Sequence, residues 1–565
     1  MKSGKLSLWL VCIMLLCVFV LPAPALAVIL EDTAPTHDPL GKADPPIEVT
    51  TIHAGNDAAF WFPEGDDIDN NIYTRRFEEQ LGIKYRFLWT SPGSQSAEKM
   101  NIMMASGDLP DVMSVSRTDF ERLMQADLLA DVTDAINDYG SLFMKKQIAG
   151  DNEPLQDAVM RDDRLYGVPN GGSYKEASNM LWIRADWLEK LDMQPPTTLA
   201  EFEALCDAFI AQDPDGNGVD DTYGIANYNS QESWRWGIQD GFFNMFHVYT
   251  NIQIKGEDGK LQDGAFGADQ RGKMRTAIEK IAEYNQKGYF HPDFMTIDYA
   301  QMTEDIYSDK VGIYFDGLWG AYWPLVLHRD INPTADWVPV QLPSTDGVPT
   351  STSNEAAGIY NICVARKGFE HPEAFIRMLN LYHDLNNNPE TMEFAEYNTD
   401  PIDNNQIFLC FPLLVYHTTF NYEGYVAIAD AIKTGSTDGL CEAYKLFYEQ
   451  AMAFKATGDN SGWPPYRSYT DAGCLKVVSD NVAQKRMQMN EFTGNPTQAM
   501  INDLPTVKKA YDQMSTNIFM GGDIAQFDDF LVQYDSLYYD KAFAEVNAWF
   551  DAKDNVSIQD WFINN

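Results

Sequence analysis

Cysteine is scarce in this sequence, and its spacing excludes the usual cysteine-based sites. Only 7 cysteines occur among 565 residues, and two of them lie in an apolar run near the N-terminus. The other five are scattered along the chain without close spacing: Cys206, Cys363, Cys410, Cys441 and Cys474. Because their number is odd and no C-x-x-C pair or Cys/His cluster occurs, neither a disulfide framework nor a zinc site is indicated. We expect these five to be buried free thiols.

Catalytic motifs are also absent. The 8 histidines form no H-E-x-x-H pair, and there is neither a G-x-S-x-G turn nor a glycine loop that would cradle phosphate. Hydrolysis of a glycosidic bond needs two carboxylates across that bond. None of the 83 acidic residues is singled out for such a role. We therefore predict that the protein is not an enzyme.

Positive charge is scarce as well. The chain has 41 Lys and Arg against 83 Asp and Glu, a formal net charge of −42 at pH 7. Such a surface repels phosphate backbones and anionic lipid head groups, so we predict no nucleic-acid partner and no binding to a membrane surface. The acidity is typical of a surface that keeps an exported protein soluble. A preference for neutral or cationic ligands is the alternative interpretation.

Long apolar runs are confined to the N-terminus. Two lysines precede the run 6–21, a proline breaks it, and Ala-Leu-Ala at 25–27 has the small-x-small pattern of signal-peptidase cleavage. We predict that residues 1–27 are a signal peptide and that the mature protein is exported, to the cell surface or to a periplasm. Val11 and Leu16 precede the cysteines of the run, where a lipoprotein box needs a small residue. No lipid anchor is therefore predicted, and an uncleaved anchor is the alternative.

The remaining chain alternates strand and helix patterns. No segment after the signal has the roughly 18 uninterrupted apolar residues of a membrane-spanning helix. A flexible, proline-rich tether is predicted at 28–46. Strands at 47–52 and 83–88 then flank an amphipathic helix that ends at Gly82, and a further helix covers 96–106. This order indicates an α/β sheet, and the length of the chain indicates more than one hydrophobic core.

Several short segments also resemble, in order, the motifs of one protein family. They are EKMNIMMASGDLPDV at 98–112, RLYGVP at 164–169, LWIRADWLEKL at 181–191, KVGIYF at 310–315, HPEA at 371–374, FMGG at 519–522 and EVNAW at 545–549. The ordered set resembles the extracellular solute-binding proteins of ABC importers, family 1, in the sugar-binding branch. The resemblance spans essentially the whole mature chain.

This resemblance implies a fold, a function and partners. The fold would be α/β and two-lobed, of the periplasmic-binding-protein type (type II-like), with interleaved lobes joined by a hinge. A carbohydrate, from the length of the chain an oligosaccharide, would be captured between the lobes of a monomer and delivered to an ABC permease. The predicted division is lobe 1 at 47–168, lobe 2 at 169–340, a return to lobe 1 at 341–420, and a helical part, mainly lobe 2, at 421–565.

An acidic loop indicates a cation site. Residues 213–221 read DPDGNGVDD and follow a predicted helix, 199–209, in which Thr198 and Glu201 have capping-box spacing. Oxygen ligands fall at the spacing of a calcium loop: Asp213, Asp215, Asn217, the backbone carbonyl of Val219, and Asp221. Gly224 replaces the Glu that closes an EF-hand and a strand-like segment follows, so the loop would bind calcium without switching.

In the resembled family a loop of this kind holds a structural calcium, and a Glu often follows the last Asp. Here Thr222 stands at that position, which removes one anionic ligand and leaves a hydroxyl as the sixth member of the set. A polar turn that water satisfies is the alternative.

Aromatic side chains that could stack on a sugar form two groups. Trp319, Tyr322 and Trp323 directly follow an apolar strand, and Trp234, Arg235 and Trp236 form the second group. In the family, loops after such strands face the cleft between the lobes. Weaker candidates are Trp61, Arg117, Trp182 and Trp463. The alternative is packing in the core, which we expect for Trp182 and Trp187, with Arg184 and Asp186 paired or capping a helix.

Two other functions use the same residues. A surface protein that binds polysaccharide without importing it differs only in whether a permease docks, and a glycoside-processing enzyme would need the carboxylate pair. An importer protein should close about its hinge on ligand and be encoded beside permease genes, whereas a polysaccharide-binding surface protein should not.

Overall fold

The structure, a computed structural model, describes nine parts of the chain. These are residues 33–54, 62, 65–149, 155–176, 178–228, 238–353, 358–398, 407–553 and 555–564. The predicted signal peptide lies outside them. Among the described residues, no helix is both long enough and apolar enough to cross a bilayer.

The first hydrophobic core forms around three small sheets, and we call the part of the chain around it lobe 1. Its strands are β1 (Ile47–Ala54), β2 (Ile83–Ser91), β3 (Val112–Val115), β4 (Met160–Arg161), β5 (Arg164–Leu165), β6 (Val168–Gly171) and, later in the chain, β14 (Ile359–Ala365). Its helices are α1 (Ile72–Leu81), α2 (Gly93–Ser106), α3 (Arg117–Gln125), α4 (Thr133–Tyr139), α5 (Leu142–Ala149) and α12 (Pro372–Asn386).

Pairing within lobe 1 follows the predicted order of elements. β1 and β2 pair in parallel, and β14 lies antiparallel between β3 and β6. Between β1 and β2, α1 ends as predicted at Gly82, which has φ 64° and donates its N–H to the carbonyls of Glu78 and Phe77. A Cβ at this position would lie 2.4 Å from the carbonyl oxygen of Ala43, so only glycine fits.

The second core is larger, and we call the part of the chain around it lobe 2. Its strands are β7 (Met180–Arg184), β8 (Tyr223–Ile225), β9 (Gln253–Lys255), β10 (Leu261–Asp263), β11 (Val311–Asp316), β12 (Trp337–Val340), β13 (Thr352–Ser353) and β15 (Met487–Gln488). Its first helices are α6 (Ala185–Lys190), α7 (Leu199–Ala211), α8 (Ile238–Met245), α9 (Arg271–Lys287), α10 (Tyr299–Tyr307) and α11 (Leu325–Ile331).

The C-terminal part of lobe 2 is helical. Its helices are α14 (Phe420–Thr434), α15 (Glu442–Thr457), α16 (Trp463–Tyr469), α17 (Cys474–Ala483), α18 (Gln498–Asn502), α19 (Leu504–Phe519), α20 (Ala525–Tyr534), α21 (Asp540–Ala552) and α22 (Ile558–Asn564). The short helix α13 (Phe394–Tyr397) contacts both lobes, because Phe394 packs into the second core and Tyr397 into the first.

The central sheet of lobe 2 has the order β12-β7-β11-β8. β11 is antiparallel to β7 and parallel to β8, and every residue of β7 and β11 is buried. Trp182 and Trp187 lie in this core, which confirms their predicted packing. Arg184 and Asp186 form the predicted ion pair, with 2.6 Å between nitrogen and oxygen.

Apart from the short excursion at Met392 and Phe394, which reach the second core, the described part of the chain passes between the cores three times. It leaves the first core after Val168 and enters the second at Met180, returns between Leu342 and Ile362, and crosses again between Val415 and Tyr425. Interleaved passages of this kind join the two lobes at several points of the chain.

Buried polar groups tie these passages together. Asn170 donates its amide to Oδ1 of Asn361 at 2.7 Å and accepts the backbone N–H of Tyr416 at 2.8 Å. Glu176 in the first passage accepts the N–H groups of Asn421 and Tyr422, in the first turn of α14, at 2.6 and 3.1 Å. Burial raises the pKa of Glu176 to about 7 although these hydrogen bonds oppose it.

The segment predicted as a flexible tether is docked where it is described. The backbone N–H of His37 donates to the carbonyl of Asp138, and its ring stacks on Tyr139 with 4.8 Å between centroids. The N–H of Ala43 donates to the carbonyl of Leu81. Residues 33–46 therefore lie on lobe 1. The C-terminal ends of α1 and α4 supply the carbonyls and the Tyr139 ring that bind this segment, whereas its polar, proline-rich composition predicted only a flexible tether.

The five cysteines that follow the N-terminal apolar run are free thiols. Cys206, Cys363, Cys410 and Cys474 are buried, as predicted, and Cys441 is half-buried at the start of α15. Burial raises the pKa of each thiol, so the cysteines act as small apolar side chains.

Candidate functional site

The carboxyl ends of β8 and β11 meet at one edge of the lobe 2 sheet. The two strands are parallel, with Val311 opposite Tyr223 and Ile313 opposite Ile225. In open α/β sheets, ligands bind in the crevice outside the carboxyl ends of the strands. The residues that follow these two strands are therefore the first place to look for a ligand site.

Two exposed tryptophans follow β11. A single 3₁₀ turn, Leu318–Ala321, carries Trp319 and leads directly to Trp323. Their side chains are 44% and 49% exposed, whereas Trp187 and Trp337 are fully buried. Among the predicted site residues that the structure describes, these two exposed indoles could stack on a ligand.

The turn is fixed to the core beneath it. The N–H groups of Tyr322 and Trp323 donate to the carbonyl of Trp319 at 2.9 and 3.0 Å. The indole N–H of Trp182 donates to the carbonyl of Gly317 at 3.1 Å. A Cβ at Gly320 would lie 2.6 Å from that same indole nitrogen, so glycine is needed for this close approach. The turn that presents Trp319 and Trp323 is thus held in place by the protein before any ligand binds.

Tyr322 faces the core, unlike the exposed Trp319 and Trp323. Its side chain packs against the second core, and its hydroxyl is buried beside Ser468 and Tyr469. Burial raises the pKa of this hydroxyl. Tyr322 therefore anchors the turn, contrary to its predicted place among the ligand-binding residues.

Trp463, a weaker candidate, is also a core residue. It is fully buried, and its indole N–H donates to Asp336 at 3.2 Å. The prediction of a ligand contact for Trp463 was wrong, because the short helix α16 turns the indole into lobe 2.

A buried carboxyl group that sequence reasoning missed lies beside the tryptophan turn. Asp316 is the last residue of β11, is 8% exposed, and accepts the N–H of Gly317 at 2.7 Å. Burial raises its pKa to about 7. Tyr299 and Tyr314 lie near this carboxyl group, and the ring of Tyr228 packs edge-on against Tyr299 with 5.5 Å between centroids. Its position directly after an apolar strand and before a glycine was the available signal.

Arg117 contacts the protein itself. It is the first residue of α3, and its guanidinium donates to the carbonyls of Thr493 and Gly494. These carbonyls belong to lobe 2, so the predicted ligand-binding arginine joins the two lobes. The predicted site residues Trp61, Trp234, Arg235 and Trp236 lie outside the described residues.

The acidic loop 213–221 is built largely by its own hydrogen bonds. The preceding helix α7 begins with the predicted capping box of Thr198 and Glu201. Asp213 accepts the N–H groups of Gly216 and Gly218, both at 3.1 Å. These bonds fold the chain back on itself, as a calcium loop requires.

One amide lies between two carboxylates of the loop. The Asn217 side chain donates to Asp215 at 2.6 Å and to Asp221 at 3.2 Å, and its oxygen accepts the N–H of Val219 at 2.6 Å. A hydrogen bond with Asp215 holds the pKa of Asp213 below its usual range, while burial and that same bond raise the pKa of Asp215. The carboxylates are thus close enough to repel one another unless a proton or a cation lies between them.

Two neighbours of the loop take part in its packing. The hydroxyl of Thr222 donates to the carbonyl of Phe209 at 2.7 Å and is buried at the end of α7. Thr222 therefore hydrogen-bonds to α7 and does not face the loop as the predicted sixth cation ligand. Lys190 donates to the carbonyls of Asp213 and Pro214 from outside. Across the described part of the chain, no three His, Cys, Asp or Glu side chains are arranged to hold a metal ion.

The chain is similar to proteins of known function. A family model described as bacterial extracellular solute-binding protein matches residues 62–368, more than half of the chain. The polygalacturonan/rhamnogalacturonan-binding protein YtcQ of Bacillus subtilis (strain 168) is 26% identical over 251 residues, which cover 43% of this chain and 46% of YtcQ. The fructooligosaccharide ABC transporter substrate-binding protein FusA of Streptococcus pneumoniae is 28% identical over 265 residues, 44% of this chain and 47% of FusA. The matched region spans about half the length of these curated relatives.

Solved structures share the fold over a longer stretch. FusA in complex with kestose superposes with a TM-score of 0.61 at 16% identity, covering 90% of this chain and 99% of that one. The alginate-binding protein AlgQ2 without calcium ion gives a TM-score of 0.60 at 14% identity, with 91% and 100% covered. At these identities the similarity establishes the fold alone, which is two-lobed and α/β, of the periplasmic-binding-protein type.

Proposed function

Because the chain belongs to the bacterial extracellular solute-binding protein family, we propose that it captures an oligosaccharide between its two lobes and delivers it to an ABC permease. The family consists of substrate-binding proteins, and in this proposal the chain binds its ligand without changing it. The protein is exported, and residues 1–27 serve as its signal peptide.

The observation that carries the proposal is the tryptophan turn beside Asp316. Trp319 and Trp323 offer two exposed apolar faces on a turn that the core holds in place. Sugars present C–H faces to aromatic rings and hydroxyl groups to planar polar groups. Asp316 supplies such a polar group at the same sheet edge.

Closure follows from binding to both lobes. A ligand shifts a two-state equilibrium only by its difference in affinity for the two states. A sugar that stacks on the lobe 2 turn and also contacts lobe 1 binds the closed form more tightly, and so favours it. The three passages between the lobes are the segments about which such a movement would turn.

We also propose that the loop at 213–221 holds a structural calcium ion. Its donors are oxygens, which calcium prefers: the side chains of Asp213, Asp215, Asn217 and Asp221, and the carbonyl of Val219. The close approach of Asp213 and Asp215 supports the proposal, because a bound cation would offset their repulsion. The ion would stabilise the loop and take no part in transport.

The test is a thermal-shift screen of the mature protein with kestose, oligogalacturonides and alginate oligosaccharides. A ligand that binds only the folded state raises the unfolding midpoint with its concentration. We expect a saturable rise with one sugar class and recovery of that sugar unchanged. Shortened sugar products would indicate an enzyme, and no shift with any sugar would overturn the carbohydrate proposal.

A further inference from the structure

A short loop between β15 and α18 reaches from lobe 2 to lobe 1. We call its residues Thr493, Gly494 and Asn495 the bridging loop. Arg117, in the first turn of α3, donates to the carbonyl of Thr493 at 3.4 Å and to the carbonyl of Gly494. A charged donor therefore joins the lobes through two backbone acceptors.

Asn495 extends this contact with its side-chain amide. With the amide assigned the orientation that its neighbours require, the nitrogen donates to the carbonyl of Ala158 and to Oε1 of Glu121, both at 3.2 Å. The oxygen accepts from two guanidinium nitrogens of Arg161 at 3.1 and 3.2 Å. Glu121 and Arg161 also pair with each other, and Glu121 is buried. The amide of lobe 2 thus completes a partly buried polar network of lobe 1.

The bridging loop is firmly mounted on lobe 2. Immediately before it, Phe492 packs edge-on against Trp549 with 4.9 Å between ring centroids. The buried carboxylate of Glu491 accepts the hydroxyl of Ser557 at 2.6 Å and the N–H of Ile558 at 2.8 Å, at the start of α22.

Gly494 packs closely against two aromatic side chains of lobe 2. A Cβ there would lie 2.7 Å from the ring of Phe492 and 2.8 Å from the indole nitrogen of Trp549. Any side chain at this position would push the loop away from these two rings, so the close packing requires glycine.

We propose that the bridging loop is a latch that favours, before ligand arrives, the arrangement seen in this structure, in which the loop contacts lobe 1 and which we call the closed form. Its contacts use neither the exposed tryptophans nor Asp316, so the latch acts independently of the sugar. Asn495 is its positioning residue, since one amide meets three groups of lobe 1. The consequence for affinity rests on the proposed function, because a larger closed fraction raises the apparent affinity for any ligand that binds the closed form.

Asn495→Asp tests the latch. The carboxylate has the shape of the amide but cannot donate to the carbonyl of Ala158, and it brings a like charge against Glu121. We expect the ratio of closed to open protein to fall about tenfold, equivalent to about 1.4 kcal/mol. Small-angle X-ray scattering of the mature protein without sugar should then show a larger radius of gyration, while circular dichroism should show that the variant remains folded.

A matched control and a second variant make the outcome decisive. Asn517→Asp makes the same change at an exposed amide that donates within lobe 2 to Gln526 at 3.4 Å, and should leave the radius unchanged. Asn495→Ala removes the contacts without adding charge and should also open the lobes. If both Asn495 variants scatter as the parent protein does, the latch is overturned. Since no sugar is present, this result is independent of whether the ligand is a carbohydrate.

Discussion

A tryptophan presents a large apolar face, and its burial decides whether that face stabilises the fold or can contact a ligand. Trp319 and Trp323 are about half exposed, while Trp182, Trp187 and Trp463 are buried. A buried indole gains stability by leaving water. An exposed one on an anchored turn contributes little to folding, which leaves it available for a ligand.

Replacing the exposed indoles should therefore separate binding from stability. For the sugar identified in the screen, Trp319→Ala and Trp323→Ala should each weaken binding about tenfold. The free energy of unfolding should change by only about 0.5 kcal/mol, as at other surface sites. Isothermal titration and denaturant unfolding measure the two quantities.

Trp463→Ala is the matched control, and should destabilise the protein by about 3–5 kcal/mol because it leaves a cavity. Unchanged affinity together with a large loss of stability in the Trp319 and Trp323 variants would place those residues in the core instead.

A buried histidine makes stability depend on pH. His383 is fully buried, and within the described chain neither ring nitrogen has a hydrogen-bond partner. Burial, and then the nearby His417, lowers its pKa to about 3. Since its unfolded pKa is near 6.5, the unfolded state takes up a proton first as pH falls. Stability from this group is therefore complete above about pH 6.5 and is lost below it.

His383→Phe should remove this dependence. Between pH 6.5 and 5, His383 should lower the free energy of unfolding of the parent protein by about 2 kcal/mol, because each pH unit corresponds to about 1.4 kcal/mol. The variant should lose correspondingly less, which denaturant unfolding at pH 7.5 and 5 would measure. An equal loss in both proteins would show that His383 accepts a proton in the folded state.

Within the loop at 213–221, Asp213 and Asp215 differ in how much of the backbone turn each one holds. Asp213 holds the turn through two backbone N–H groups, whereas the Asp215 side chain accepts no backbone N–H closer than 3.5 Å. A change at Asp213 would disrupt the loop with or without a cation. A change at Asp215 mainly removes a ligand.

Asp215→Ala, which leaves no oxygen ligand at this position, should therefore abolish stabilisation by calcium. In the parent protein, calcium at 100 times its dissociation constant should add about 2.7 kcal/mol to the free energy of unfolding. The thermal midpoint should fall when EGTA is added, and the variant should show no such fall. Asp258→Ala, in another exposed acidic turn, is the control that should keep the calcium effect. Equal midpoints of the parent protein with calcium and with EGTA would contradict the site.

Local elements were largely predictable from sequence, and long-range contacts were not. The capping box of Thr198 and Glu201 and the glycine end of α1 depend on residues a few positions apart, so their patterns are legible. Arg117 and the carbonyl of Thr493 are 376 residues apart, and no local pattern joins them. Asp316 was one acidic residue among 83, and its burial arises from packing around the sheet edge.

For the whole molecule, the sign of the charge is the property that both lobes share. Asp and Glu outnumber Lys and Arg in both parts of the chain, and the formal net charge is −42. Closure brings two negatively charged bodies together, and their repulsion opposes it. Salt weakens this repulsion, because the Debye length falls from about 30 Å at 0.01 M to about 10 Å at 0.1 M.

We therefore expect ionic strength to shift the balance between open and closed forms. The radius of gyration of the sugar-free protein should be larger in 10 mM than in 150 mM sodium chloride, and affinity for a neutral sugar should rise with salt. Scattering and titration at the two concentrations measure these effects, with EGTA present so that cation binding at the loop 213–221 does not contribute. A radius that grows with salt would mean that attraction across the cleft, such as that of the Arg117 and Arg161 guanidinium groups for the polar groups of the bridging loop, outweighs the repulsion of the whole lobes. The sign of the salt dependence thus decides whether closure is governed by the net charge of the lobes or by the bridging loop.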